Sequence, residues 1–193
     1  MQNTPTLFML NSLKRDNMKI YNVPFALILL LLSAPIFAQD DNGDGLFEKN
    51  LPEVRLTNTE GDQINTGELE NDGKPIIISF WATWCTPCKR ELNAVNDLYI
   101  DWQDETGVRL VAVSVDDQRT INRVVPYVDS KAWDYQILLD PNGDFKRAMG
   151  VNNVPHTFLV DGNGKIVYSH NNYAPGDEYE LYDHILELTA EEK

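Results

Sequence analysis

Cys85 and Cys88 are the only cysteines in this chain of 193 residues, and just Thr86 and Pro87 lie between them. A cross-link across so short a loop removes little unfolded-state entropy, so stapling the fold is a poor reason for the pair. Redox chemistry or metal binding remains. Half a zinc site needs two further ligands at suitable spacing, and His156, His170 and His184 are far apart in the sequence. Covalent haem attachment would need a histidine after the second cysteine, where Lys89 stands. A reactive cysteine must be a thiolate, and Cys85 sits where one is favoured, between a strand-like apolar run and a helical pattern opened by Pro87. At a helix start the sulfur faces unpaired N–H groups and the positive end of the helix dipole. Cys88, three residues on and on the same helical face, is placed to resolve a mixed disulfide. A C-x-x-C beside a βαβ pattern is a redox signature.

The elements that must position this pair are readable from periodicity. Val54, Leu56 and Ile64 alternate with polar residues around Asn58–Asp62, which predicts a short N-terminal hairpin. The unbroken run from Pro75 to Trp81 predicts a strand buried on both faces. Leu92, Val95, Leu98, Tyr99 and Trp102 recur at helical spacing until Gly107, and Arg109–Val115 predicts a second buried strand. A helix is expected over 118–130 with a kink or break at Pro126, then a strand over Gln136–Leu139 and a short helix over Asp144–Met149. Strands at Thr157–Val160 and Ile166–His170 flank the turn signal Asp161-Gly162-Asn163-Gly164, and an amphipathic helix covers Glu178–Leu188. The order predicts an α/β fold, a central mixed sheet flanked by helices with an N-terminal β-hairpin extension.

A formal charge of −14 opposes nucleic-acid binding, since such a surface repels phosphates. Lys14, Arg15 and Lys19, the apolar run Val23–Leu32 and the small residues before Gln39 form the three parts of a secretory signal, with cleavage expected after Ala38. The competing reading is an uncleaved anchor, but the uncharged stretch 23–38 falls short of the ~20 residues that span a bilayer. Residues 1–38 are thus read as an N-terminal extension and signal peptide or anchor, 39–50 as a linker, and 51–193 as one domain. Asp40-x-Asn42-x-Asp44-Gly45 opens like a calcium loop, yet its twelfth position is Leu51, and it reads as linker.

Phe80–Lys89 closely resembles the active-site segment of thioredoxins. The run Trp84–Glu91, WCTPCKRE, looks like the exported TlpA/ResA-like branch with its W-C-x-P-C-x-x-E pattern. The resemblance covers about residue 50 to the end. It implies a thioredoxin fold and a protein thiol–disulfide oxidoreductase whose cofactor is its own Cys85–Cys88 disulfide, with no metal. Val154-Pro155-His156-Thr157-Phe158 is similar to the loop in which that fold holds a cis-proline against the dithiol. The implied substrate contacts are Trp84, Thr86, Pro87, Val154 and Pro155. Glu91, one turn beyond Cys88, matches the branch's glutamate that tunes the dithiol, and can exchange the proton of Cys88. Thioredoxins themselves carry a buried aspartate six residues before the first cysteine; Ser79 stands there and cannot be that base, which argues against cytosolic thioredoxin function. His156 is a weaker candidate for facing the dithiol.

Thr86-Pro87 and Val154 resemble the residues of reductive members. The resemblance implies a periplasmic monomer that takes electrons from a membrane thiol carrier and passes them to disulfides of exported proteins, apocytochrome c among them. Two rivals stay open. A peroxiredoxin-like peroxide reductase would carry T-x-x-C, whereas Thr83 is only two residues before Cys85. A copper-delivery protein of this fold would carry C-x-x-x-C and a distant histidine.

Overall fold

The computed structural model describes residues 50–191. The signal or anchor reading of 1–38, the calcium-like segment and all but the last residue of the linker lie outside the described residues. Among those described, no helix is long and apolar enough to cross a membrane.

A hairpin of β1 (Arg55–Asn58) and β2 (Gln63–Asn65) leads into β3 (Ile76–Trp81), α1 (Thr86–Thr106) and β4 (Arg109–Ser114). There follow α2 (Val124–Lys131), β5 (Gln136–Leu139), α3 (Asp144–Ala148), β6 (His156–Val160), β7 (Ile166–Asn171) and α4 (Asp177–Glu191). The strands form one mixed sheet in the order β2-β1-β5-β4-β3-β6-β7. β3, β4 and β5 run parallel, while β6, β7 and the N-terminal hairpin pair antiparallel at the two sides. The expected mixed sheet, with the hairpin extending one edge beside β5, is what forms.

The unbroken apolar character of β3 follows from burial on both faces. Ile77 and Trp81 point into one core with Leu92, Val95, Tyr99, Leu110, Leu181 and Ile185, so α1 and α4 cover that face. Ile76, Ile78 and Phe80 point into the other core, with Val111, Leu138, Phe145 and Phe158. Ser79 belongs by alternation to the face of Ile77 and Trp81, where it is a buried polar residue among apolar ones.

Helix α1 starts and stops where its residues require. Pro87 falls in the first turn, where a missing N–H costs no helical hydrogen bond. Gly107 ends the helix at φ 69°, a left-handed conformation that favours glycine, with its N–H bonded to Gln103 O. The segment 118–130 departs from expectation. It is a 3₁₀ turn at Ile121–Arg123 followed by α2, with Pro126 as the third helical residue rather than an internal kink. The reason is the same one that places Pro87: first-turn N–H groups have no intrahelical acceptor to lose.

Candidate functional site

Cys85 is the residue that caps α1. Its backbone is extended (φ −88°, ψ 104°), and its Sγ accepts from Cys88 N–H at 3.3 Å. The sulfur therefore meets an N–H that the helix leaves unpaired, the arrangement that favours a thiolate once the pair is reduced. Here the two cysteines are joined as a disulfide with Cα atoms 5.4 Å apart. Cys85 keeps 5% of its surface exposed and Cys88 none, so a partner reaches only the first sulfur. The Val154–Pro155 peptide is cis, and the Val154 carbonyl oxygen lies 3.7 Å from Cys85 Sγ. Because that carbonyl belongs to the loop entering β6, an extended chain laid along the loop would pass directly over the sulfur.

Asp116 fixes the approach to Cys85. Fully buried just after β4, it accepts from Thr83 N–H at 2.8 Å, Thr83 Oγ1 at 2.6 Å and Ser114 Oγ at 2.9 Å. These bonds hold the loop between β3 and α1, and with it the position of the sulfur. Sequence reading missed Asp116. The nearest signal was its position just past the strand predicted over Arg109–Val115.

Glu91 lies on the face of α1 turned to the sheet and is only 6% exposed, so it is not a solvated helix charge. Thr157 Oγ1 donates to Glu91 Oε1 at 2.6 Å. Ser79 Oγ lies 3.0 Å from Thr157 Oγ1 and 3.5 Å from Glu91 Oε2. Both of these partners are neutral hydroxyls. Burial pushes its pKa from 4.5 to about 7, with Asp177 and Glu178 adding to the rise, while the hydrogen bonds from Thr157 and Ser79 pull the other way. A carboxyl tuned close to neutrality can hold or release a proton at working pH. Thr157 was not anticipated either; antiparallel pairing sets it opposite Ser79.

The remaining expected residues divide. Trp84 is 58% exposed, Thr86 is exposed and Pro87 half-buried beside the disulfide, while Pro155 is buried behind the half-buried Val154. Trp84 borders a groove of about 410 Å³ that Val115, Pro141, Lys146, Val151 and Asn152 help to line. His156 is not brought to the dithiol. Its ring stacks on Phe158 at 4.4 Å, and its Nε2 is 2.8 Å from Ser169 Oγ. Period-2 alternation accounts for this, since His156 and Phe158 face away from Thr157. Burial lowers its pKa below the ordinary histidine value. Trp81 is fully buried, as packing behind the dithiol requires, with its ring 5.0 Å from that of Trp133. Among the described residues no group of three His, Cys, Asp or Glu side chains is placed to hold a metal ion.

Comparison with known proteins agrees with this geometry. A match to the AhpC/TSA family spans residues 47–169. The chain is 32% identical over 151 residues to the thiol–disulfide oxidoreductase ResA of Oceanobacillus iheyensis, covering 73% of this chain and 76% of that protein. It is also 32% identical over 169 residues to the thiol:disulfide interchange protein DsbE of Tatumella citrea, covering 80% and 85%. An uncharacterized thioredoxin-like protein from Porphyromonas gingivalis, solved in solution, is 56% identical over 73% of this chain and 92% of its own, with a TM-score of 0.67.

Proposed function

The chain belongs to the AhpC/TSA family and is a thiol–disulfide oxidoreductase of thioredoxin-like fold, and we propose that it acts as a reductase of disulfides in exported proteins. The observation that carries this reading is the seat of Cys85: it caps α1, receives the Cys88 N–H and presents the more accessible sulfur beside the Val154 carbonyl.

In the reaction, the Cys85 thiolate attacks one sulfur of the substrate disulfide. The mixed disulfide forms, and the other substrate sulfur leaves as a thiolate that takes up a proton. Cys88 then loses its proton to Glu91 and attacks Cys85 Sγ, which releases the second substrate thiolate and closes the Cys85–Cys88 disulfide. The dithiol is oxidised by two electrons and the substrate disulfide reduced by two. Trp84, Thr86 and Pro87 on one side, and Val154 on the other, form the surface that receives the extended substrate chain, with the buried Pro155 setting the position of Val154 through their cis peptide. A membrane thiol reductase returns two electrons to the disulfide, and apocytochrome c is the candidate substrate class. The basic, apolar and small-residue segments of 1–38 support action outside the cytoplasm, whether that leader is cleaved or retained.

The reducing direction is tested by equilibrating the Cys85–Cys88 pair with glutathione. A potential near that of thioredoxin, about −270 mV, is expected, and one near that of DsbA, about −120 mV, would make the protein an oxidant instead. A peroxide assay in the same reduced samples addresses the rival chemistry. The Thr83 hydroxyl is bound to Asp116 rather than turned to Cys85, so slow peroxide consumption is expected.

A further inference from the structure

Glu91 is enclosed on its α1 and β3 sides, but one small cavity of about 10 Å³ touches it, room for about a single water molecule. The cavity is lined by the buried Glu91, Thr157 and Tyr173 and by the part-exposed Tyr168, His170 and Asp177. His170 Nε2 lies 3.1 Å from Asp177 Oδ2, and their side chains are 32% and 27% exposed. This pair therefore joins a water-sized space beside a buried carboxyl to solvent. Neither residue takes part in the dithiol chemistry.

We propose that the His170–Asp177 pair is the proton outlet of Glu91, connecting it to solvent through the water-sized cavity between α1, β7 and the start of α4. The proposal rests on the reading of Glu91 as the group that accepts the Cys88 proton. In each turnover that proton moves from Cys88 to Glu91, then by way of a cavity water to His170, and from His170 to solvent. The dithiol gives up two protons per turnover, that of Cys85 directly to solvent when its thiolate forms and that of Cys88 through Glu91, and the two substrate thiolates take up two from solvent, so the protons balance. An imidazole can accept on one ring nitrogen and release from the other, and Asp177 orients His170 for this.

The carboxyl groups lining the cavity are Glu91, Asp177 and Glu178. Glu91 contacts Ser79 of β3 and Thr157 of β6, shares the cavity lining with Tyr168 and His170 of β7, Tyr173, and Asp177 and Glu178 of α4, and its charge also reaches Tyr135. His170 faces Asp177, stacks against Tyr168 at 6.4 Å between ring centres and is felt by His156. Tyr173 OH is held by Glu178 at 2.9 Å, and burial raises its pKa to about 12, so it stays protonated and is no rival carrier near neutral pH. Among the described groups lining the cavity, His170 is the one basic side chain, and it is part-exposed to solvent.

The test compares full-length wild type, His170→Gln and Glu91→Gln in stopped-flow reduction of a small disulfide, in water and in deuterium oxide. His170→Gln keeps a polar side chain beside Asp177 and is expected to slow exchange by about tenfold, enlarge the solvent isotope effect and respond to added imidazole. Alkylation of Cys85, which needs no proton through Glu91, should stay within about twofold of wild type. Should His170→Gln lose the fold by circular dichroism, Asp177→Asn takes its place, because asparagine keeps an acceptor for Ala174 N–H. Rates for His170→Gln equal to wild type, with no effect of imidazole, overturn the outlet. If Glu91→Gln slows exchange in that same experiment, only the outlet has failed; if it does not, the role of Glu91 has failed with it.

Discussion

Thr157 Oγ1 donates to Glu91 Oε1 at 2.6 Å, although 66 residues separate the two in the chain. The contact exists because β6 runs antiparallel to β3, which sets Thr157 opposite Ser79, and because α1 crosses that face of the sheet. The carboxyl is consequently held by two neutral hydroxyl groups in a largely desolvated setting. Such surroundings raise proton affinity without removing the hydrogen bonds that orient the group.

Thr157→Val keeps the shape of the side chain and removes the donor. Since the Thr157 bond lowers the Glu91 pKa, its loss is expected to raise that pKa further and move the pH profile of disulfide exchange to the alkaline side. Above neutral pH the variant should lose about 1–3 kcal/mol, the cost of a buried acceptor left unpaired. Thr157→Ser should restore both properties. A Thr157→Val profile identical to wild type would mean that Thr157 does not tune Glu91.

Glu91 also makes stability depend on pH with a definite sign. Its folded-state pKa is raised from 4.5 to about 7, so between these values the unfolded chain has released the proton and the folded chain still holds it. Stability must therefore fall as pH rises through that window, by about 3 kcal/mol, and level off above it. Glu91→Gln removes this slope. Urea unfolding at a series of pH values should show the variant gaining on wild type from pH 4.5 to 7, and parallel curves would show that Glu91 titrates normally.

Alkylation of the reduced protein near neutral pH should modify Cys85 first, because its sulfur has both the exposure and the helix-terminal N–H. Cys88→Ser should accumulate mixed disulfides with substrate, since nothing remains to resolve them. Peptide mapping after brief alkylation decides the matter: Cys88 as the first site modified reverses the assigned roles.

Trp84 is largely exposed beside the disulfide. Trp84→Ala should raise KM for a folded protein disulfide by about tenfold, as loss of an aromatic anchor does, with stability changed by no more than about 0.5 kcal/mol. Reduction of a small disulfide, which makes no use of the surrounding surface, should proceed at the wild-type rate. Equal KM values for wild type and variant would remove Trp84 from the docking surface.

How legible these features were depended on the range of the interactions behind them. Pro87 and Gly107 bound α1 through backbone preferences that belong to single residues, and the run Ile76–Trp81 announces a doubly covered strand by composition alone. Segment 118–130 was less legible, because a proline's effect depends on whether it stands in the first turn or deeper in a helix, and the start of α2 is set by packing. His156 showed its residue type but not its direction, which the pairing of β6 with β3 decided.

The chain by itself determined the chemistry: two cysteines separated by Thr86 and Pro87 at a strand-to-helix junction are a local arrangement, and local sequence suffices to describe it. Tertiary structure decided the electrostatics of the site. Thr157 and Ser79 come to Glu91, Asp116 to Thr83, and His170 to Asp177 beside the Glu91 cavity only when strands pair in register and helices cover them. The physical reason is that desolvation and hydrogen-bond partnership depend on distances between segments remote in sequence, and no periodicity within one segment encodes them.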